Sequence, residues 1–429
     1  MRHILCGAAA LLAASLGMQG VLAQELPTAS PESVGMSAEG LAKINAAMQR
    51  FIEAGTIANA VTIVARRGKV VHYEAHGYLD PNAKTPMPKD ALFRMASSSK
   101  PVTTVGVLAL VDEGKLRLDD PVSKYIPEFA NTKVAVLKPG TAEPPPLPPG
   151  AAAPPGPPTP VDLVSVARPV TIRDLLTHTS GLMSGGVGAR QVNLPLAAND
   201  TLATFIPKLG GAPLDFQPGT RWAYSATAGF DTLSRIIEVV SGKTFDVYLK
   251  ERIFTPLQMN DTVFVVPASA QSRMNLLYRR NEQGQWQATA PPPAFSSTTL
   301  LSGGAGLIST ARDYARFEQM LLNGGEFNGK RILKPETVQA MRTDQVPGLF
   351  HGMNGGEEGM GFGYGIAVTL DSTKARLPRS NGSAGWYGAY GTMSWNDPKE
   401  QIVGVIMLQQ NAQPVQAEFG GAIMNAIVR

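Results

Sequence analysis

The spacing of apolar residues in this chain changes period twice, and that order limits the architectures open to it. Near the start, Leu41, Ile44, Met48 and Ile52 recur at helical intervals behind Ser37, which predicts an amphipathic helix over 37–54 capped by Ser37. Strands follow at 60–65 and 69–75, joined through Arg66-Arg67-Gly68 as a tight hairpin. The middle reads as helical. Helices are expected over 102–111 (closed by Gly114), over 171–176, over 228–241, where Leu233, Ile236, Ile237 and Val240 share a face, and from near Thr310 after a glycine-rich turn. Strand character returns at 365–370, 390–395 and 401–409, before a closing helix over 418–428. Such an order suits a sheet built from both ends of the chain, with a helical region inserted between them.

Two stretches stand outside this pattern. Residues 1–23 combine a basic start at Arg2, an apolar run from Ile4 to Leu16 and small residues at Val21-Leu22-Ala23, and are read as a secretory signal peptide. The expected destination is export, to a periplasm or beyond. The single cysteine, Cys6, lies inside that signal, so the exported chain would have no disulfide and no thiolate, and would rest on its core. Residues 139–160 are too rich in proline for helix or sheet and read as an extended insertion. It is read first as a surface insertion with no role; the alternative, since it lies between the helix that Ser97 opens and His178, is that it borders the cleft and trims substrate size. The net charge of +4 is too small, and Lys and Arg too dispersed, to indicate nucleic acid as a partner. No later stretch is apolar for long enough to span a membrane.

Ser97 and Lys100 carry the first chemical signal. Their Ser-x-x-Lys spacing, in Phe93-Arg94-Met95-Ala96-Ser97-Ser98-Ser99-Lys100, puts a hydroxyl and an amine on one face at a helix start. A desolvated lysine can lose its proton and serve as base to a serine nucleophile. The plain alternative is Ser97 as an ordinary helix cap. Tyr224, in Trp222-Ala223-Tyr224-Ser225-Ala226, could pass a proton between Ser97 and a leaving group if a neighbouring ammonium such as Lys100 lowers its pKa. Gly385-Trp386-Tyr387-Gly388-Ala389 enters a strand, where glycines permit close approach and the Ala389 N–H could donate to an oxyanion. Thr177-His178-Thr179-Ser180-Gly181 reads as a structural helix end. His72 and His76 share a strand face without a carboxylate to complete a metal site, and also read as structural. No motif calls for a cofactor or a metal.

Taken in order, these motifs resemble the serine β-lactamase and penicillin-binding superfamily, in its class C-like branch, and most closely the family VIII carboxylesterases. The matching residues are Phe93-Arg94-x-Ala96-Ser97-x-x-Lys100-Pro101-Val102-Thr103, Gly114-Lys115-Leu116-x-Leu118-Asp119-Asp120-Pro121-Val122, Thr171 to Gly181, Tyr224-Ser225, Pro256-Leu257-x-Met259 and Gly304-Ala305-Gly306-Leu307-x-Ser309-Thr310. The resemblance implies an α/β (α+β) fold with an antiparallel sheet flanked by helices. It assigns 24–95 and 300–429 to one domain and 96–299 to a mostly helical one. It implies Ser97 as the acylated nucleophile, Lys100 and Tyr224 in proton transfer, and Ser97 and Ala389 as oxyanion donors.

Two departures bear on substrate. The Tyr-x-Asn of penicillin-recognising members ends here in Ala226, which cannot bond a substrate amide. Their Lys-Thr-Gly triad is replaced by Trp386-Tyr387-Gly388, expected to line the substrate site without a cation to hold a carboxylate. The expected activity is therefore hydrolysis of small-molecule carboxylic esters. A β-lactamase or D-alanyl-D-alanine carboxypeptidase is the alternative, since an arginine from elsewhere could replace the missing cation. Oligomeric state is left open.

Overall fold

The computed structural model describes residues 26–148, 151, 157–353 and 355–428. The predicted signal peptide lies outside them. Helix α1 (Ala38–Glu53) starts where Ser37 accepts the Gly40 N–H, and buries Leu41, Ile44 and Met48. Strands β1 (Asn59–Arg66) and β2 (Lys69–Asp80) form the expected hairpin, turning through left-handed Arg67 and Gly68. The short β3 (Thr85–Pro86) pairs with β2. Helix α2 (Lys100–Asp112) follows a 3₁₀ turn over Ala96–Ser99. It is buried on all sides from Lys100 to Leu110, which marks a central helix rather than an amphipathic one.

Strands β4 (Lys133–Leu137) and β5 (Val161–Ser165) pair antiparallel and close the proline-rich excursion at its base. Sequence reading missed this hairpin. The described part of the excursion at 141–148 has no regular structure, and it folds back so that Leu147 N–H bonds the Gly185 carbonyl at 2.8 Å. Helix α3 (Ala228–Ser241) and the hairpin β6 (Leu277–Arg280) with β7 (Trp286–Thr289) complete the middle of the chain.

Helix α4 (Ala311–Leu322), capped by Thr310, leads to the returning strands β8 (Met360–Phe362), β9 (Ala367–Thr369), β10 (Ala384–Tyr387), β11 (Met393–Asp397) and β12 (Ile402–Met407), and then to helix α5 (Gln413–Asn425). Two expectations need correction here. The closing helix begins at 413 rather than 418, because Pro414 fits the first helical turn, where no N–H is needed. Residues 384–387 are a strand of their own, and the strand expected from 390 starts at 393, because 388–391 turn through Gly391 in the left-handed region.

The sheet runs β8-β9-β10-β11-β12-β1-β2-β3, with every neighbour antiparallel. Strands from the two ends of the chain thus meet at β1–β12, where Ile63 faces Val405 in register. Both strands are buried throughout because both sheet faces are covered. Ala60, Val64 and Ile406 pack with Ile44, Phe419 and Ile423 of α1 and α5. Val61, Ile63 and Val405 join the larger core that holds Tyr314 and Phe317 of α4 and the residues of α2. Among the described residues no helix is long and apolar enough to cross a membrane.

Candidate active site

Ser97 lies in the 3₁₀ turn ahead of α2, not at the cap of that helix, so the reading of Ser97 as a helix cap does not hold. The preceding Ala96 has φ +45°. A left-handed alanine costs on the order of 1–2 kcal/mol, a strain of the kind found where a reactive group must be presented. The segment is pinned to its surroundings. Tyr314 donates to the Ser98 carbonyl at 2.7 Å, and the Ser99 hydroxyl accepts the Leu307 N–H at 3.1 Å.

Lys100 is fully buried. Its Nζ lies 3.2 Å from Ser97 Oγ, 2.6 Å from the Ala226 carbonyl and 2.9 Å from the Gly304 carbonyl. Burial lowers its pKa to about 7, against a smaller opposing pull from Asp231. A neutral amine has two N–H bonds and one lone pair. With two carbonyls taking the N–H groups, the lone pair is left facing Ser97 Oγ. The glycine-rich turn makes this possible, since a Cβ on Gly304 would come within 2.8 Å of Thr227 Cα and one on Gly303 within 2.0 Å of Ser234 Oγ.

Asp231, on α3, lies beneath the lysine. It accepts from Ser302 Oγ at 2.6 Å and from Gly304 N–H at 3.0 Å, so it fixes the turn whose carbonyl holds Lys100. Its own pKa is pushed up to about 6 by burial. Sequence reading passed over Asp231, whose partners lie about 70 positions away.

Tyr224 donates to Ser97 Oγ at 2.6 Å, so the three predicted catalytic side chains meet. The expectation of a lowered phenol pKa is corrected: burial pushes it up to about 12. Lys100 Nζ lies over the Tyr224 ring face, 4.8 Å from its centroid, and with a pKa of about 7 it is not a fixed cation. His178 brackets this tyrosine. Its carbonyl accepts the Ala223 N–H at 3.0 Å and its Nδ1 accepts the Ser225 N–H at 3.2 Å. The ring, packed 4.7 Å from Tyr224, is buried and kept neutral by desolvation. The structural reading of 177–181 thus acquires a purpose in holding Tyr224. His72 and His76 share a contact with Thr62 Oγ1, and burial lowers their pKa values to about 3 and about 4.

Gly388 ends β10 against the nucleophile segment, where a Cβ would meet the Met95 carbonyl at 2.2 Å. Thr392 Oγ1 donates to that same carbonyl and pairs with Ser98 Oγ, each at 3.0 Å. The Ala389 N–H that follows makes no hydrogen bond among the described residues. Trp386 is buried behind Tyr224, with ring centroids 5.9 Å apart, while Tyr387 is half-exposed. Trp386, Tyr387, Gly388 and Ala389 line a cavity of about 310 Å³ together with apolar Phe350, Met353 and Met360, but also with Arg376 and Arg379, so the expectation of a site without a cation is corrected: the third motif lacks one, and the loop at 376–379 brings two. A second cavity, of about 460 Å³, adjoins Ala389 on its other side. The described part of the proline-rich segment docks on the loop around Gly185, and none of its described residues lines either of these two cavities.

The beta-lactamase family profile matches residues 44–424. Protein Rv1367c of Mycobacterium tuberculosis is 36% identical over 378 residues, covering 85% of this chain and 88% of that protein. Esterase EstB of Burkholderia gladioli is 31% identical over 411 residues, covering 89% of this chain and 93% of that protein. Among solved structures, EstCE1, described as a hydrolase with promiscuous acyltransferase activity, superposes with a TM-score of 0.72 at 26% identity, covering 91% of this chain and 99% of that one.

Proposed function

The chain belongs to the beta-lactamase family of serine hydrolases, and on that premise we propose that it hydrolyses carboxylic esters through an acyl-enzyme on Ser97, in the manner of the family VIII esterases. The observation that carries this reading is the convergence of Lys100 Nζ and Tyr224 Oη on Ser97 Oγ, at 3.2 and 2.6 Å, beside an aromatic wall without a cation in the third motif. Similarity to EstB and EstCE1 supports it.

Neutral Lys100 accepts the serine proton as Oγ attacks the ester carbonyl. The oxyanion sits between the N–H groups of Ser97 and Ala389. With its high pKa Tyr224 stays protonated, and its hydroxyl turns from Ser97 Oγ, now an ester oxygen of poor basicity, to the departing alkoxide. It gives up its proton there, and the Lys100 ammonium makes good the loss. In the second half a water attacks the acyl carbonyl, the same groups take its proton, and Ser97 leaves protonated. A signal peptide at 1–23 and delivery to the periplasm or beyond belong to the same proposal, resting on the sequence of that segment.

Turnover of short p-nitrophenyl esters measured beside nitrocefin tests the reading. Ester hydrolysis dominates if it holds; a faster nitrocefin reaction or a lasting penicillin adduct would make the chain a β-lactamase or peptidase of this family.

A further inference from the structure

The 460 Å³ cavity beyond Ala389 is separate from the one walled by Trp386 and Tyr387, whose lining holds Glu357 beside Arg376 and Arg379. It lies between the β6–β7 hairpin and the turn at 389–390, and its lining includes Arg279, Arg280, Trp286, Phe295, Tyr390 and Gln410 but no acidic residue. Its cations are unequally engaged. Arg280 bonds the Gly284 carbonyl and lies over the Trp286 ring, 4.5 Å from the centroid. The Arg279 guanidinium makes no hydrogen bond or ion pair among the described residues. Arg94, three residues before the nucleophile, is half-buried and has no carboxylate partner among the described residues; it donates only to the Phe295 carbonyl at 3.4 Å.

Two further donors point the same way. The Tyr390 hydroxyl and the Gln410 Nε2 are both buried and have no hydrogen-bond partner among the described residues. Buried polar groups are normally satisfied, so two of them in one cavity call for an acceptor. The local field has a direction as well. Arg94 and Arg279 both act on Tyr390, next to Ala389, whereas Asp80 acts on Tyr278. The positive end of the cavity is therefore the end nearest the nucleophile.

We propose that this cavity is an acid-recognition subsite of the same cleft, taking a carboxylate carried by the ester substrate, with Arg279, Tyr390 and Gln410 as its donors and Arg94 as the charge behind them. Its cations come from the middle of the chain, in addition to Arg376 and Arg379 of the cavity lined by Trp386-Tyr387-Gly388. The substrate class becomes an ester with one apolar arm, toward Phe350 and Met360, and one acidic arm, toward Arg279. This deepens the esterase reading and rests on it.

The test compares kcat/KM for matched pairs. The acyl-side pair is p-nitrophenyl hydrogen glutarate and p-nitrophenyl pentanoate; the alcohol-side pair is para-(butanoyloxy)benzoate and its methyl ester. The acid is preferred about tenfold on one arm, and which arm shows it tells whether the carboxylate belongs to the acyl or the alcohol half. Arg279→Gln and Tyr390→Phe each erase most of that preference, and so does about 0.5 M KCl. A ratio at or below one on both arms, or a preference untouched by both substitutions, overturns the proposal. Calorimetric titration of monomethyl and dimethyl glutarate into Ser97→Ala protein reads the subsite without turnover. Binding of the monoacid alone upholds it even if no ester is hydrolysed, and equal binding of the two counts against it.

Discussion

The floor and the rim of the site are built on opposite rules. On the floor, around Ser97, Lys100 and Asp231, polar groups are bonded to one another: Lys100 has three oxygen neighbours and Asp231 two donors. Burial there sets proton affinity before any substrate arrives. On the rim, the Ala389 N–H and the Tyr390 hydroxyl have no partner among the described residues. A satisfied floor fixes the chemistry, and an unsatisfied rim leaves specificity to whatever fills it. The contrast predicts that floor substitutions change kcat and its pH dependence, whereas rim substitutions change the ranking of substrates.

Loss of the nucleophile separates the two regions most sharply. Ser97→Ala is expected to lower kcat by roughly a thousandfold or more while leaving the protein folded, and to abolish labelling by a fluorophosphonate probe. Labelling that persists in this variant would move the chemistry elsewhere. Tyr224→Phe removes a proton donor but keeps the ring against His178. A fall in kcat of about a hundredfold is expected, with KM little changed. A rise in KM alone would make Tyr224 part of the rim.

Asp231→Asn is subtler, since the amide oxygen can still accept from Ser302 and Gly304. Removing the carboxylate removes the pull that raises the Lys100 pKa. The rising limb of kcat/KM is therefore expected to move to lower pH, and movement to higher pH would contradict this electrostatic picture. The smallest effect is expected from deletion of residues 140–158, whose ends the β4–β5 pairing already holds together. The ranking of acyl chain lengths should stay within about twofold of the parent, because the described residues of the segment line neither of the two cavities beside Ala389. A changed ranking would bring it back to the cleft.

The legibility of the sequence followed the range of the interactions involved. Ser97 and Lys100 could be read because three residues span them, and the close approach at Gly388 because glycines announce it. The central strands could be read because β12 is apolar along its whole length and β1 carries Ala60, Val61, Ile63 and Val64. What could not be read is what distance in sequence conceals. The carbonyls of Ala226 and Gly304 reach Lys100 across 126 and 204 positions, and backbone groups leave no signature in residue type. The Tyr224 pKa was expected to fall because an ammonium was in view, while the burial that raises it was not. The β4–β5 hairpin was hidden because the prolines of 139–160 stand between its strands.

The central claim is that a buried amine, neutral near pH 7, activates Ser97. The pH dependence of kcat/KM on a short p-nitrophenyl ester, corrected for spontaneous hydrolysis, tests it most directly. The lowered Lys100 pKa predicts activity that climbs about tenfold per pH unit below 7 and levels off above it. The raised Tyr224 pKa predicts that this plateau continues past pH 10, where an ordinary tyrosine would lose its proton. A rise centred near 10, where an ordinary lysine titrates, would contradict the account.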